Sequence, residues 1–400
     1  MLDPIPVYPT LPPWSAVVGF ILGALAGSFL NMLIWRLPRG KSLVDPAHSI
    51  CPLCNHQLTP LDLMPIVSWL RTGGKCRHCG APIAVRYLLV ELLVGTLFAI
   101  IWLQTMTVAI DPHWGDFFAY AAAAAILVAI VFIDWELYII PDELNAALLF
   151  VGLVYGASHG MIGESIKGAF LGWALIWGFV LLGRLAFGKD AMGDGDIKMM
   201  RGVGALLGPT LLVANVGIGV VLGLVGGIVG LAIEARKSSA PAPSPDANAS
   251  TVEGTAGAEE GTPEFEATPI PLVLLSGALY LFCIDIVALF VPPLQKWIMG
   301  RYPAEVLDDN DNWEPSATAI PFGPYLAAGA LICMLAGNPI KSAIKSYWDS
   351  ATGATPRAAF EHSGRTPRSL IEGGQSTFYA EQKPRIGSLL PRDGQVIECL

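Results

Sequence analysis

Long apolar runs, each closed by charge or proline, set the rhythm of this chain. Trp14 to Trp35 is the first and ends at Arg36. A helix rises 1.5 Å per residue, so about twenty apolar residues carry it across a hydrocarbon core. Tyr87 to Val108, Phe117 to Ile133, Gly168 to Leu185, Leu211 to Ile233 and Leu272 to Val291 repeat the pattern, while Leu144 to Ala157 and Tyr325 to Ala336 are shorter. A helix as short as Leu144 to Ala157 needs burial in a bundle or extension by its neighbours. From Asp196 to Leu207 the chain is dotted with small residues, which let helices approach closely in lipid, and Pro209 acts as a breaker. The pattern predicts an all-α polytopic membrane protein of about eight transmembrane helices.

The polar segments orient these runs. Residues 36 to 86 carry seven Lys or Arg against Asp45 and Asp62, whereas the linker around Asp111, Pro112, His113 and Asp116 carries no Lys or Arg. An excess of basic residues marks cytoplasmic loops, so 36–86 is expected inside and the N-terminus outside. The first thirteen residues hold no Lys or Arg, unlike the basic start of a cleaved signal, so the first span is expected to be retained. Counting spans from there puts Asp134 and the Gly193–Lys198 stretch on the same, cytoplasmic side. Ser238 to Pro269 is rich in Ala, Pro, Ser, Thr, Gly and Glu and reads as a disordered linker. The expected organisation is 1–35, an outer segment and first helix; 36–86, a cytoplasmic four-cysteine segment; 87–237, a transmembrane core; 238–269, the linker; 270–340, a C-terminal transmembrane region; and 341–400, a polar tail. Two arrangements of the C-terminal region stay open. If both late runs cross, the tail with its eight basic residues is inside and Pro321–Pro324 outside; if only Tyr325 to Ala336 crosses, the reverse holds.

Composition sharpens the class. An apolar content of 53% with 14% charge and a mean hydropathy of +0.55 exclude a water-exposed globular surface, and the net charge of -9 resides in loops and tails. Membrane lipid is the expected surrounding, and no nucleic acid is expected as a partner.

The candidate chemistry lies in two constellations. Asp134, in Asp134-Trp-Glu-Leu-Tyr-Ile-Ile-Pro-Asp142, and Asp196, in Gly193-Asp-Gly-Asp196, are sixty-two residues apart in sequence but at one depth by the span count. Ionisable residues this close to lipid are expensive and usually functional. Two carboxyls brought together do not both ionise easily, so one keeps a proton as general acid while the other activates water, the chemistry of an aspartic protease. Intramembrane acids also serve ion pathways, so a transporter or channel is the rival reading, although no internal repeat is evident. Asp142, Asp190 and Asp194 read as helix caps. Glycines 193 and 195 suit a close backbone approach to an extended substrate.

The second constellation is Cys51-Pro-Leu-Cys54 and Cys76-Arg-His-Cys79, twenty-one residues apart. In a reducing compartment that spacing points to a tetrahedral four-thiolate zinc site whose closed coordination shell folds a segment too small for a core. His56 and His78 read as bystanders, with His78 in place of one thiolate as the alternative, and Cys283, Cys333 and Cys399 read as free thiols. Trp14, Trp35 and Trp102 read as interfacial anchors, Ala121–Ala125 as a packing surface, and Glu91 as either functional or paired with Arg86 or another neighbour. Lys198 either steadies an ionised Asp or supplies cytoplasmic-side charge. Asp285 is expected to face protein.

Taken together, Gly27-Ser-Phe-Leu-Asn-Met-Leu-Ile-Trp-Arg-Leu-Pro38, Pro65–Leu70 with Gly74–Cys79, Arg86-Tyr87 through Glu91, Asp134 to Pro141-Asp142, Gly193–Lys198 and Pro321-Phe-Gly-Pro-Tyr325 resemble, in order, the motifs of the bacterial type IV prepilin peptidases. These are bifunctional leader peptidases and N-methyltransferases. The resemblance covers roughly residues 15 to 235 and 320 to 337. It implies that Asp134 and Asp196 are the catalytic pair, and that prepilins or pseudopilins are cut after a Gly at the cytoplasmic face of the inner membrane. It also implies that the new amino terminus is methylated from S-adenosylmethionine by the segment carrying the cysteines. No glycine-rich nucleotide loop is present, so the methyl donor rests on the resemblance alone, and a peptidase-only enzyme with a structural zinc segment is the second rival. Leu88 stands where a Pro is usual. The linker, the run Leu272 to Val291 and the tail are departures from the family pattern.

Overall fold

The computed structural model describes residues 11–43, 49–51, 53–108, 113–188, 192–238, 269–291, 293–294 and 321–351. All but the end residues of the expected disordered linker lie outside them, as do Asp190, Cys399 and the tail beyond residue 351. The chain divides into two compact units, Met1–Ala343 and Ile344–Leu400. Of the second, residues 344–351 are described, and they are helical.

The described residues are helical nearly throughout: α1 (Ala16–Arg36), α2 (Val67–Thr72), α3 (Val85–Trp102), α4 (Trp114–Leu137), α5 (Asp142–Ser158), α6 (Ile162–Phe187), α7 (Asp194–Ser238), α8 (Ile270–Leu281), α9 (Ile284–Phe290), α10 (Gly323–Leu335) and α11 (Gly337–Ala351). Among them the only extended pairing is two isolated bridges, Ile50 with Gln57 and Lys75 with Pro82. Among the described residues, five helical stretches are long and apolar enough to cross a membrane, and up to seven if each of two bent pairs counts as one span.

Small residues decide how these helices meet. A Cβ at Gly19, Gly23 or Gly27 of α1 would stand 2.7 Å from Trp102 Cβ, 2.7 Å from Phe98 Cβ and 2.8 Å from Glu91 Cα. The four-residue spacing thus lays one face of α1 flat on α3, the close approach that small-xxx-small patterns permit in lipid. Gly168 and Gly172 of α6 likewise face the backbone of Gly204 and Met200 in α7. The alanine run packs as expected, with Ala121, Ala123 and Ala124 of α4 buried. Trp14 is 75% exposed and Trp35 39%, whereas Trp102 is 3% exposed and donates through Nε1 to Ser15 Oγ at 2.9 Å. Trp102 is therefore a core residue, because α1 crosses over it at Gly19.

α7 is two arms. Gly208 has φ 71° and ψ 171°, a region open essentially to glycine alone, and Pro209 follows. Beyond it Asn215 Nδ2 reaches Met200 Sδ at 3.6 Å. Fifteen residues of straight helix rise about 22 Å, more than these two side chains can span, so the chain folds back at Gly208–Pro209. The run Leu272 to Val291 is also broken: α8 and α9 meet at 73° around Cys283, whose φ is 57°. α8 is fixed to α6 by Trp173 Nε1 donating to Gly277 O at 3.0 Å and Trp177 Nε1 to Val273 O at 3.3 Å.

Candidate active site

Asp134 sits in the last turn of α4, where the Tyr138 N–H closes on the Asp134 carbonyl at 3.0 Å. Tyr138 adopts φ 57°, the left-handed turn that ends a helix. The chain then runs through Pro141 into α5, so Asp134 is left at the end of a buried helix with a 6% exposed side chain. Asp196 lies in the first turn of α7, is also 6% exposed, and accepts from the Gly193 N–H. The two meet at Gly323 in the first turn of α10. The Gly323 N–H donates to Asp134, and a Cβ at 323 would overlap Asp134 Oδ2 and come within 3.0 Å of Asp196 Oδ1. Asp196 Oδ1 is buried with no partner, leaving an acceptor aimed into the meeting point. Two buried carboxyls directed at one point are an arrangement in which acid and base roles can be divided between neighbouring groups.

Gly195 is needed for a local reason, since a Cβ there would stand 2.8 Å from Ile140 Cβ, whereas nothing lies within 4 Å of one at Gly193. Asp142 begins α5, and its Oδ1 accepts from Lys198 Nζ at 2.7 Å. Lys198 is thus bound to Asp142 rather than to Asp196. Asp285, placed by sequence only as facing protein, is 5% exposed and paired with Arg201 of α7. A lone cation and a lone anion in separate apolar stretches were the legible signal for that pair. Gly323 lies in the Pro321–Tyr325 motif, but its place beside the aspartates was not legible, because span counting left the side of Pro321–Pro324 open.

The cysteines form two matched knuckles. In the first, Cys51 N–H donates to His56 O and Asn55 N–H to Cys51 O; in the second, Cys76 N–H donates to Ala81 O and Gly80 N–H to Cys76 O. Asn55 and Gly80, each following the second Cys, take φ 54° and 73°, a left-handed turn suited to those two residue types. All four Sγ atoms lie within 4.8 Å of one another, with Cys51 and Cys79 3.9 Å apart. A tetrahedron of thiolates about 2.3 Å from a metal has edges of about 3.8 Å, so these thiols are placed to hold a metal ion. The N–H groups of Cys54 and Leu53 pull the Cys51 thiol down to about 7, while the Ala81 N–H on Cys79 is outweighed by burial and the other three thiols, which push Cys79 up to about 11. Asp62 ties the intervening loop to the second knuckle through Arg77 at 2.8 Å. The Thr59 hydroxyl and N–H, together with Arg77, hold its carboxyl below the usual range.

Between this cysteine unit and the ends of α1 and α3 lies a cavity of about 730 Å³, inside the range of roughly 300–1,000 Å³ for small-molecule sites. Asn31, Trp35, Trp69, Lys75, Tyr87 and Glu91 are among its lining residues. Asn31 is 2% exposed, donates to Tyr87 O at 3.1 Å, and keeps a buried Oδ1 without a partner. Glu91 pairs not with Arg86, which binds Glu136, but accepts from the Ile66 N–H at 2.6 Å. It thereby fastens the cysteine unit to α3.

Comparison with known proteins agrees with this division. The family model described as "Bacterial Peptidase A24 N-terminal domain" matches residues 21–105, and that described as "Type IV leader peptidase family" matches residues 121–228. The four cysteines fall in the first match and both aspartates in the second; α8, α9 and Gly323 lie beyond both. Relatives named prepilin leader peptidase/N-methyltransferase include one from Aeromonas hydrophila, 35% identical over 51% of this chain and 79% of its own length. One from Myxococcus xanthus is 32% identical over 81% of this chain and 91% of its length. One from Pseudomonas aeruginosa is 31% identical over 56% and 83%. No solved structure matches. On the strength of these matches, the chain belongs to the type IV leader peptidase family.

Proposed function

We propose that this chain is a membrane aspartic endopeptidase that cleaves the basic leader of type IV prepilins or pseudopilins after a Gly, with Asp134 and Asp196 as its catalytic pair. The observation that carries the reading is the convergence of these two buried carboxyls on Gly323. One carboxyl, as base, takes a proton from a water molecule whose oxygen attacks the scissile carbonyl. The other, as acid, protonates that carbonyl's oxygen. Collapse of the tetrahedral species breaks the C–N bond, the departing amine takes the proton held by the base, and the proton on the former carbonyl oxygen returns to the acid. The Gly323 N–H holds the Asp134 carboxyl in orientation, and the open edge at Gly193 leaves room for an extended peptide.

Methylation of the exposed amine belongs to the same proposal, drawn from the relatives' printed names. S-adenosylmethionine, when bound, supplies an electrophilic methyl group on sulfur. The cavity fits it: Trp69 and Tyr87 offer aromatic faces, Lys75 a cation, and the orphaned Asn31 Oδ1 an acceptor for an N–H. Zinc held by Cys51, Cys54, Cys76 and Cys79 would fold one wall of that cavity.

For the bilayer we propose eight passes, adding α5, a second pass for the folded-back arm of α7, and α10 to the five long apolar stretches α1, α3, α4, α6 and α7. α8–α9 dips in and returns on the side of the aspartates. With the N-terminus outside the inner membrane, this count puts Asp134, Asp196 and Gly323 at the cytoplasmic face, where a basic leader would lie. It favours the arrangement in which only the later of the two C-terminal runs crosses.

The test is cleavage of a peptide with a basic leader, a Gly and an apolar helix by the purified protein in detergent. Asp134→Asn and Asp196→Asn, nearly isosteric, should each lower kcat by about 10²–10⁴-fold with unchanged thermal unfolding. Folded variants that cut as fast as wild type would remove the assignment.

A further inference from the structure

The segment Ile270–Phe290 lies beyond both family matches, yet its side chains reach into the turn that carries Asp196. Three residues of α7 meet it. Tyr280 Oη donates to Asp194 Oδ2 at 2.8 Å. Lys198 Nζ, while bound to Asp142, sits over the Tyr280 ring at 4.7 Å from its centroid. Arg201 donates to the Tyr280 carbonyl and grips Asp285 with two bonds, Nη1 to Oδ1 at 3.1 Å and Nη2 to Oδ2 at 2.7 Å.

Positions 194, 198 and 201 are spaced four and three apart and so share one face of the helix. Asp196, two residues on from Asp194, lies about 200° round the axis and faces the other way, toward Asp134 and Gly323. The bend between α8 and α9 makes the grip possible. It ends α8 at Leu281, so that the Tyr280 carbonyl lies at the negative end of that helix, where a guanidinium is favoured. It also swings Asp285 back toward the same guanidinium. Arg201, Tyr280 and Asp285 are all 5% exposed or less, so water competes little for these bonds. α8 in turn rests on the two tryptophans of α6, which makes the grip a fixed one.

We propose that α8–α9 is an intramolecular clamp on the rear face of α7, and that Tyr280 and Asp285 are positioning residues for the carboxyl pair. The clamp sets the height and rotation of the Gly193–Asp196 turn against Gly323. A substrate peptide therefore enters a site already aligned, and loss of the clamp costs turnover rather than substrate affinity. The role rests on the peptidase reading above.

Tyr280→Phe keeps the ring and its packing and removes only the hydroxyl that Asp194 accepts. In the full chain, it should lower kcat for leader cleavage roughly ten- to hundredfold with KM unchanged. Hydrogen exchange of the amides from Gly193 to Lys198 should become faster, while that of α1 and α3 stays as in wild type. Asp285→Asn should give the same pattern more strongly. A kcat within twofold of wild type overturns the proposal. So does a loss confined to KM, or a kcat loss without faster exchange at 193–198. If wild type cuts no leader at all, the peptidase reading fails separately. The exchange rates then still decide the clamp, which stands if they rise in Tyr280→Phe and falls if they do not.

Discussion

At the scale of single residues, the most constrained position near the carboxyl pair is one with no side chain. Gly323 brings its own N–H to Asp134, and any Cβ there collides with that carboxyl. Gly323→Ala should therefore displace Asp134, and a displacement of about an ångström at reacting groups is worth about a hundredfold in rate. Leader cleavage should fall by that order, with circular dichroism and expression unchanged; full activity would mean that α10 moves aside freely. The aspartates were legible beforehand because a charge near lipid needs a reason, and because counting spans brought two of them to one face. Asn31 was not legible, since one Asn in an apolar run looks like any other until its oxygen is found buried and unpartnered.

At the scale of elements, the reversal at Gly208 determines whether α7 is one helix or two. Its φ of 71° and ψ of 171° would cost any other residue about 1–3 kcal/mol. Gly217, in the second arm, has ordinary helical geometry and open space around it. Gly208→Ala should lower the midpoint of thermal unfolding in detergent, while Gly217→Ala leaves it unchanged or slightly raised, since alanine outranks glycine in a helix interior. Equal midpoints would show that the reversal is not held by this torsion. Glycine and proline together announce a break in sequence, but not its angle. The kink between α8 and α9 carried no such mark, because Cys283 takes its left-handed turn without being glycine.

At the scale of the whole molecule, the two candidate sites have different linings: a carboxyl pair where α4, α7 and α10 meet, and a cavity under the cysteine knuckles at the ends of α1 and α3. If the proposed metal site is filled, a thiol-competing chelator should unfold the knuckles and abolish methyl transfer to a pre-cleaved peptide while leaving leader cleavage within a fewfold of wild type. Loss of both activities together would show that the cysteine unit supports the peptidase as well. The apolar rhythm, the basic segment, the paired Cys-x-x-Cys motifs and the two aspartates could be read from the chain alone, because lipid, charge and metal each impose a local pattern on it. What only the tertiary structure decided were contacts between distant segments: Gly323 between the aspartates, Lys198 with Asp142 instead of Asp196, Arg201 with Asp285, Trp102 beneath Gly19, and Glu91 on the Ile66 N–H. Each depends on which helix faces end up together, and helix periodicity names a face without naming its neighbour.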